Sequence, residues 1–268
     1  MDVLSLNQLA KVVYDYCGLD YRENITSLEA KIIRRIKEQG LSIRNYIDFL
    51  KVSPNEWDIV VELLTINETY FYREDKQLSV YEKDILPKFL ETNPGRSLKV
   101  WSAACSTGEE PYSLAMTTLE SNASLSSKVQ IQGTDINKKV LKHAMNGEYN
   151  KRSLSFRRIP ESWLTSYFIE QPDSYQVSQD VKSMVSFKYL NLLDEKEMST
   201  IREEYDIIFC RNVLIYFDQP TIKQVATYFY QSLKKGGYLF LGHAENISNM
   251  GTGFETLSTN GTFYYRKG

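Results

Sequence analysis

Apolar residues in the first quarter of the chain recur at the three- and four-residue spacing of amphipathic helices. Two such stripes are formed by Leu6, Leu9, Val13 and by Leu28, Ile32, Ile36. Ser53 followed by Pro54 and Glu56 is typical of a helix start, because proline fits the first helical position. The pattern therefore predicts a small helical domain over residues 1–66.

After residue 97 the pattern changes to short apolar runs that alternate with amphipathic stretches. We predict strands over 97–105, 129–136, 186–192, 205–210 and 238–242, and helices over 109–119, 138–145 and 222–233. This alternation predicts an α/β domain with a doubly wound, mostly parallel sheet. Asn260-Gly261 between two apolar runs predicts a final antiparallel hairpin. Residues 150–185 contain Pro160 and Pro172 and break the alternation, which predicts an inserted antiparallel element.

Composition narrows the function classes. The 268 residues are 42% hydrophobic and 25% charged, with a formal net charge of −2, so the whole molecule is not drawn to nucleic acid. No apolar run approaches the ~18 residues of a membrane span, and residues 1–5 lack the start of a signal peptide. Three cysteines and two histidines, without metal-type spacing, predict no metal site and a cytoplasmic location.

Ligands of open α/β sheets bind where the parallel strands end, so the loops after the predicted strands matter most. The first loop offers only Gly108 and lacks the GxGxxG fingerprint of dinucleotide sites. Glu109 and Glu110 in the next helical turn would repel a pyrophosphate and favour a cationic cofactor such as S-adenosylmethionine. Acids that merely complement the helix dipole are an equally good interpretation.

Polar residues close three further strands. Asp135 lies 27 residues after Gly108 and suits ribose hydroxyls, although it would also suit a helix cap. Asn191 and Asn212 are amides that could bind an adenine or an amino acid, but asparagine is common in loops.

Six stretches of the chain, in order, resemble signature blocks of the CheR family of chemotaxis receptor methyltransferases. They are residues 67–74, 100–115, 134–136, 191–193, 209–218 and 242–246. The resemblance runs from near residue 5 to the end of the chain. It implies transfer of a methyl group from S-adenosylmethionine to glutamate carboxylates of chemotaxis receptors, which leaves S-adenosylhomocysteine.

The resemblance also implies an architecture and a site. We expect a receptor-docking helical domain over 1–66, a cofactor-contacting linker over 67–96, and a Rossmann-like class I methyltransferase domain over 97–268 with an insertion at about 150–185. The expected cofactor-binding residues are Asn67, Thr69, Arg73, Glu110, Asp135, Asn191, Leu192, Asn212 and Val213.

Two side chains are candidates for the reaction itself. A glutamate carboxylate is already ionised at neutral pH, so the acceptor needs no general base. Arg73 is our candidate for aligning that carboxylate through two parallel hydrogen bonds, with an ion pair to Glu74 or Asp75 as the alternative. Tyr216 could position the methyl end of the cofactor or the acceptor, or it is a packed aromatic beside Phe217.

A basic face is the candidate surface for receptor docking. Lys31, Arg34 and Arg35 share one face of the second predicted helix, and Arg22 lies just before it. The resemblance implies that the partner is the glutamate-rich helical bundle of a receptor, which such a face would attract. A solvated charged face is the alternative.

Some members of the family grip the receptor's C-terminal peptide with a glycine-rich loop in the inserted element. Residues 168–177 contain no glycine and form a shorter stretch, so we predict no tight binding of that peptide. Other functions stay open: a methyltransferase of the same fold with another substrate, or a non-catalytic module that keeps the cofactor. A nicotinamide dehydrogenase is disfavoured by the missing fingerprint.

Overall fold

The structure, a computed structural model, describes residues 2–259 and 261–268. Its α-helices are α1 Val3–Cys17, α2 Ile25–Glu38, α3 Ile43–Val52, α4 Pro54–Leu64, α5 Asp75–Val80, α6 Leu86–Thr92, α7 Glu109–Ser121, α8 Lys138–Asn146, α9 Glu161–Tyr167, α10 Gln179–Ser183, α11 Glu195–Met198 and α12 Gln219–Ser232. Its strands are β1 Leu98–Ala103, β2 Val129–Asp135, β3 Glu148–Asn150, β4 Phe168–Glu170, β5 Ser174–Val177, β6 Val185–Tyr189, β7 Tyr205–Cys210, β8 Leu233–Leu241, β9 Phe254–Thr259 and β10 Thr262–Lys267.

Helices α1 to α4 pack around one apolar core. Three of them begin at a capping side chain: Asp2, Asn24 and Ser42 each accept a hydrogen bond from the backbone N–H three residues later. The two apolar stripes of the sequence point inward and are at most 1% exposed. Burial of these stripes, more than helix propensity, holds such short helices in place.

The main sheet has seven strands in the order β6-β2-β1-β7-β8-β10-β9. The first five strands run parallel to their neighbours, whereas β10 is antiparallel to both β8 and β9. From β1 the chain builds outward through β2 to β6, then returns to place β7 on the other side of β1. This confirms the predicted α/β fold class, and it puts the switch in strand order between β1 and β7, where ligands of such sheets bind.

Two elements differ from the sequence expectation. Strand β8 begins at Leu233 and runs on through Gly236, whereas the predicted strand begins only at residue 238. The stretch 67–96, which was expected as a linker, contains α5, α6 and a π-helical turn over Tyr81–Ile85. Leu78 and Tyr81 of this stretch are buried in the core that packs against the main sheet. The predicted turn at Asn260-Gly261 falls partly outside the described residues, since Asn260 is not among them.

A small antiparallel sheet, in the order β3-β5-β4, stands apart from the main sheet. An aromatic cluster ties it to the segment before α5: Phe71, Tyr149, Phe156, Phe168 and Tyr175. Across residues 2–259 and 261–268, no helix combines the length and the apolar character that crossing a bilayer requires.

Candidate cofactor site at the switch in strand order

A cavity opens at the carboxyl ends of β1, β2 and β7, where α1 and the segment after α4 cover the sheet. About 830 Å³ of empty space, including space open to solvent, lies between its walls. Cys17, Leu19 and Ile66 form its apolar wall on the helical side. Polar side chains from the strand ends form the opposite wall.

The structure brings most of the sequence-predicted site residues together around this cavity. Those that line it are Asn67, Thr69, Arg73, Glu110, Asp135, Asn212, Val213 and Tyr216. Asn191 and Leu192 are not among the lining residues. The Asn191 amide instead donates to the Tyr16 carbonyl oxygen at 2.7 Å, which ties the sheet to α1, and Leu192 is packed in the core.

Asp135 is a buried carboxylate that, in the described part of the chain, is held by backbone N–H groups alone. Its two oxygens accept from the N–H of Ser106 and of Asn137, each at 2.8 Å. Burial raises the pKa of Asp135 to about 6, against the lowering effect of those N–H donors. The α8 helix is capped by the Asn137 side chain, so the chain does not use Asp135 as a cap.

The two acids after β1 point in different directions. Glu110 faces the cavity, where its Oε1 accepts from Ser102 Oγ at 2.6 Å. Glu109 is turned away and accepts hydrogen bonds from the hydroxyls of Thr107 and Ser155, and burial raises its pKa. Only one of the two acids is therefore available to a ligand.

Arg211 is a site residue that sequence reasoning missed. Its side chain is 1% exposed, and Nε donates to Glu110 Oε2 at 2.6 Å. A second guanidinium nitrogen donates to the backbone carbonyl of Arg73 at 2.7 Å. The available signal was an arginine at the end of the continuous apolar run of β7, since a buried cation needs an acid close by. Arg211 thereby joins the β1 loop, the β7 loop and the segment that carries Arg73.

Asn212 lines the cavity and carries an unused acceptor. Its Oδ1 is buried and has no hydrogen-bond partner in the part of the chain that the structure describes. A buried acceptor without a donor costs free energy, so a ligand N–H would relieve it.

Arg73 lies in a strained segment at the cavity. The residues on either side of it, Tyr72 and Glu74, have positive φ angles of 62° and 58°. The guanidinium donates to the Glu68 carbonyl oxygen at 2.9 Å and lies over the ring of Tyr70. Among the described residues no carboxylate forms an ion pair with Arg73, so the anticipated pairing with Glu74 or Asp75 is not formed.

The basic residues expected on the docking face have partners within the chain. Arg22 pairs with Asp20 and Asp218, Lys31 donates to the Leu64 carbonyl oxygen, and Arg35 forms two hydrogen bonds with Glu56. Arg34 differs, because its side chain is 91% exposed and, among the described residues, pairs only with the neighbouring Glu38 at 3.0 Å.

Comparison with known proteins places this geometry in a family. The family described as "CheR methyltransferase, SAM binding domain" matches residues 67–263, and "CheR methyltransferase, all-alpha domain" matches residues 4–65. The chain belongs to the CheR methyltransferase family. The strand-end cavity lies between the two matched regions, and residues from both line it.

Curated members of the CheR family match nearly the whole chain. A chemotaxis protein methyltransferase of Borreliella burgdorferi is 36% identical over 90% of this chain and 88% of its own length. Chemotaxis protein methyltransferase 2 of Vibrio cholerae is 35% identical over 89% of this chain and 84% of its own length. The Listeria innocua relative is 36% identical over 96% and 95%. The chain is an S-adenosylmethionine-dependent chemotaxis methyltransferase.

The residues of this CheR cavity fit that cofactor. Glu110 and Asp135 are carboxylates suited to its cationic groups and its ribose hydroxyls, and the Asn212 Oδ1 is free to accept an N–H. Within residues 2–259 and 261–268 no cluster of three or more His, Cys, Asp and Glu side chains is arranged to hold a metal ion.

Proposed function

We propose that this CheR chain methylates glutamate side chains in the cytoplasmic helical bundle of chemotaxis receptors, and that it does so in the cytoplasm. The observation that carries the proposal is one cavity lined by both the carboxylate pair Glu110 and Asp135 and the guanidinium of Arg73. The carboxylates suit a cationic cofactor, and the guanidinium suits an anionic acceptor.

The bound cofactor supplies an electrophilic methyl group. Asp135 accepts hydrogen bonds from the ribose hydroxyls, and Asn212 accepts an N–H through its Oδ1. Glu110 attracts the positively charged end, while Asn67, Thr69 and Val213 complete the walls. The contacts of Asn191 and Leu192 with the cofactor stay a prediction.

The acceptor half of the reaction needs alignment more than proton transfer. A glutamate carboxylate is ionised at neutral pH, with a reference pKa of about 4.3. Arg73 holds it through the guanidinium fork, and Tyr216 forms the adjacent wall. Fixing acceptor and donor in line contributes on the order of 7–11 kcal/mol to such reactions.

A base-sensitive labelling experiment tests this function. Incubation with methyl-labelled S-adenosylmethionine and receptor membranes should place label on the receptor, and mild base should release it as methanol because methyl esters hydrolyse readily. A receptor fragment whose methylated glutamates are changed to alanine is the control. Label that resists base would instead indicate an amine or another acceptor.

We propose that residues 1–66 dock on the receptor and that Arg34 is the principal exposed charge of that surface. The other three basic residues, Arg22, Lys31 and Arg35, contribute charge from partly covered positions. Arg34→Glu should slow receptor methylation, more so at low salt, because exposed charges are screened over about 8–10 Å at physiological ionic strength. Glu255→Arg, an exposed change on β9, is the control. An unchanged rate for Arg34→Glu would contradict this docking mode.

We also propose that the receptor's C-terminal peptide is not held tightly. The turn between β4 and β5 closes through a hydrogen bond from the Gln171 N–H to the Ser174 carbonyl oxygen at 2.9 Å, and Pro172 has no N–H to offer a peptide. Trimming the last residues of the receptor should leave its methylation rate unchanged. A strong loss on trimming would overturn this point alone.

A further inference from the structure

The segment after β7 carries side chains for both halves of the proposed reaction. Asn212 and Tyr216 both line the cavity, and the buried Asn212 Oδ1 has no hydrogen-bond partner among the described residues. Asn212 has a φ of 61°, in the left-handed region that non-glycine residues adopt at a cost. Contacts from outside the segment must therefore hold it in this conformation.

A single carboxylate, that of Glu245, provides those contacts. Its Oε2 accepts from the backbone N–H of Asn212 at 2.9 Å and of Gly242 at 2.6 Å. Its Oε1 accepts from the N–H of Ile215 at 3.3 Å. Ile215 lies in the 3₁₀ turn Leu214–Tyr216, so one side chain fixes the start and the middle of the segment.

Gly242, just after β8, lets the loop after β8 lie very close to the segment that follows β7. A Cβ at this position would lie 2.7 Å from Asn212 Nδ2 and 2.9 Å from the Asn212 backbone nitrogen. It would also lie 2.8 Å from Glu245 Oε2. Any side chain here would push Asn212, Glu245 or both out of place.

We propose that Glu245 is a positioning residue, which holds the 212–216 segment so that Asn212 faces the cofactor and Tyr216 faces the acceptor. Glu245 is not among the residues that line the cavity, so it acts through the backbone of the segment. This assigns a role to the 242–246 block of the sequence. The inference rests on the proposed function.

Glu245→Gln tests the role with little change in size. The amide replaces one acceptor oxygen by an NH₂ group, which would face backbone N–H donors. We expect S-adenosylhomocysteine to bind about tenfold more weakly in calorimetry, equal to about 1.4 kcal/mol. We expect kcat to fall on the order of 100-fold, since misplacement of about 1 Å has effects of that size. KM for the receptor should change little.

Glu56→Gln is the matched control for the loss of a buried carboxylate. Glu56 accepts hydrogen bonds from Arg35 and Tyr46 in the helical region, away from the cavity. It should lower the melting temperature while cofactor binding stays within about twofold of wild type, as for distant sites. A merely structural role for Glu245 would make the two variants behave alike.

Gly242→Ala tests the same contact between Glu245 and Asn212, because the added Cβ would push against both residues. It should weaken binding as Glu245→Gln does, and the double variant should be no weaker than the stronger single one, because both displace Asn212. If Glu245→Gln fails to fold, Glu245→Asp keeps the charge but falls one methylene short, and it takes that variant's place.

Two results would overturn the proposal. One is a folded Glu245 variant that binds S-adenosylhomocysteine within about twofold of wild type. The other is a Glu56→Gln protein that loses as much affinity as the Glu245 variant. The binding test uses no receptor, so a wild-type protein that binds the product but methylates no receptor would count against the proposed function alone.

Discussion

Two buried aspartates, which lie at opposite ends of the parallel strands of the main sheet, differ in their hydrogen-bond partners. Asp135 at the carboxyl end of β2 and Asp206 near the start of β7 are each 6% exposed. Asp206 is bound by cations, from Arg96 at 2.7 Å and Lys234 at 3.2 Å, and by the Lys99 N–H. Asp135 is bound by two backbone N–H groups and by no cation among the described residues.

Two equally buried carboxylates can therefore have different roles, one structural and one in ligand binding. A buried acid surrounded by cations is satisfied by the fold, whereas one held by N–H groups keeps lone pairs for a ligand. The arginines follow the same division. Arg96 is occupied by Asp206, while Arg73 at the cavity has no carboxylate partner in the described structure. Asp135 and Arg73, which have no oppositely charged partner among the described residues, both lie at the strand ends where ligands of parallel sheets bind.

Arg211 is the strongest test of this division, because it lies at the ligand edge yet has a carboxylate partner. Arg211→Ala would leave Glu110 buried without its cation and should lower the free energy of unfolding by about 3–5 kcal/mol. Urea denaturation measures this. Lys188→Ala, which removes an exposed pair with Glu197, should cost only about 0–1 kcal/mol. Equal effects of the two changes would remove the distinction between buried and exposed pairs.

Arg73→Ala should separate the two arginines by function. We expect transfer to the receptor to slow on the order of 100- to 1,000-fold, because an aligned charge is lost, while the fold persists. Arg96→Ala should leave the rate unchanged and lower the melting temperature instead. Initial rates with labelled cofactor, together with thermal melts, distinguish the two. Near-normal methylation by Arg73→Ala would exclude the aligning role.

A smaller effect, in pH dependence, follows from the raised pKa of Asp135, about 6. Ionised Asp135 accepts two hydroxyl hydrogen bonds, so affinity for S-adenosylhomocysteine should rise about tenfold between about pH 5 and pH 7. Asp135→Asn should remove the pH dependence. Affinity that is flat across this range in the wild type would place the binding charge elsewhere.

Without ligand, the raised pKa of Asp135 makes the protein's stability fall as the pH rises, which is opposite to the pH dependence of binding. The folded protein binds the Asp135 proton more tightly than the unfolded chain, in which this pKa has its ordinary value of 3.8. This group's contribution to the free energy of unfolding is therefore full below about pH 4 and is lost as the pH rises through about 6. Comparing unfolding of wild type and Asp135→Asn at both ends of that range measures it.

Local pattern predicted the sheet better than it predicted the contacts of the site. The apolar run of β7 coincides with the predicted strand, because a strand buried on both faces needs continuous apolar residues. The partner of Arg211 lies 101 residues away, and that of Arg22 lies 196 residues away. Helical spacing shows which side chains share a face. It does not show which acids pair with the basic side chains, because those acids lie on other elements of the fold.

Calorimetric titration with S-adenosylhomocysteine tests the central claim most directly, that Asp135 keeps lone pairs free to accept hydrogen bonds from the cofactor. At about pH 7.5 the wild type should bind with about micromolar affinity, and NAD should give no heat of binding. Asp135→Asn should weaken binding about 10- to 100-fold, because hydroxyls lose an acceptor, while Asp206→Asn stays within about twofold. Wild-type affinity in Asp135→Asn, or tight binding of NAD, would contradict the account.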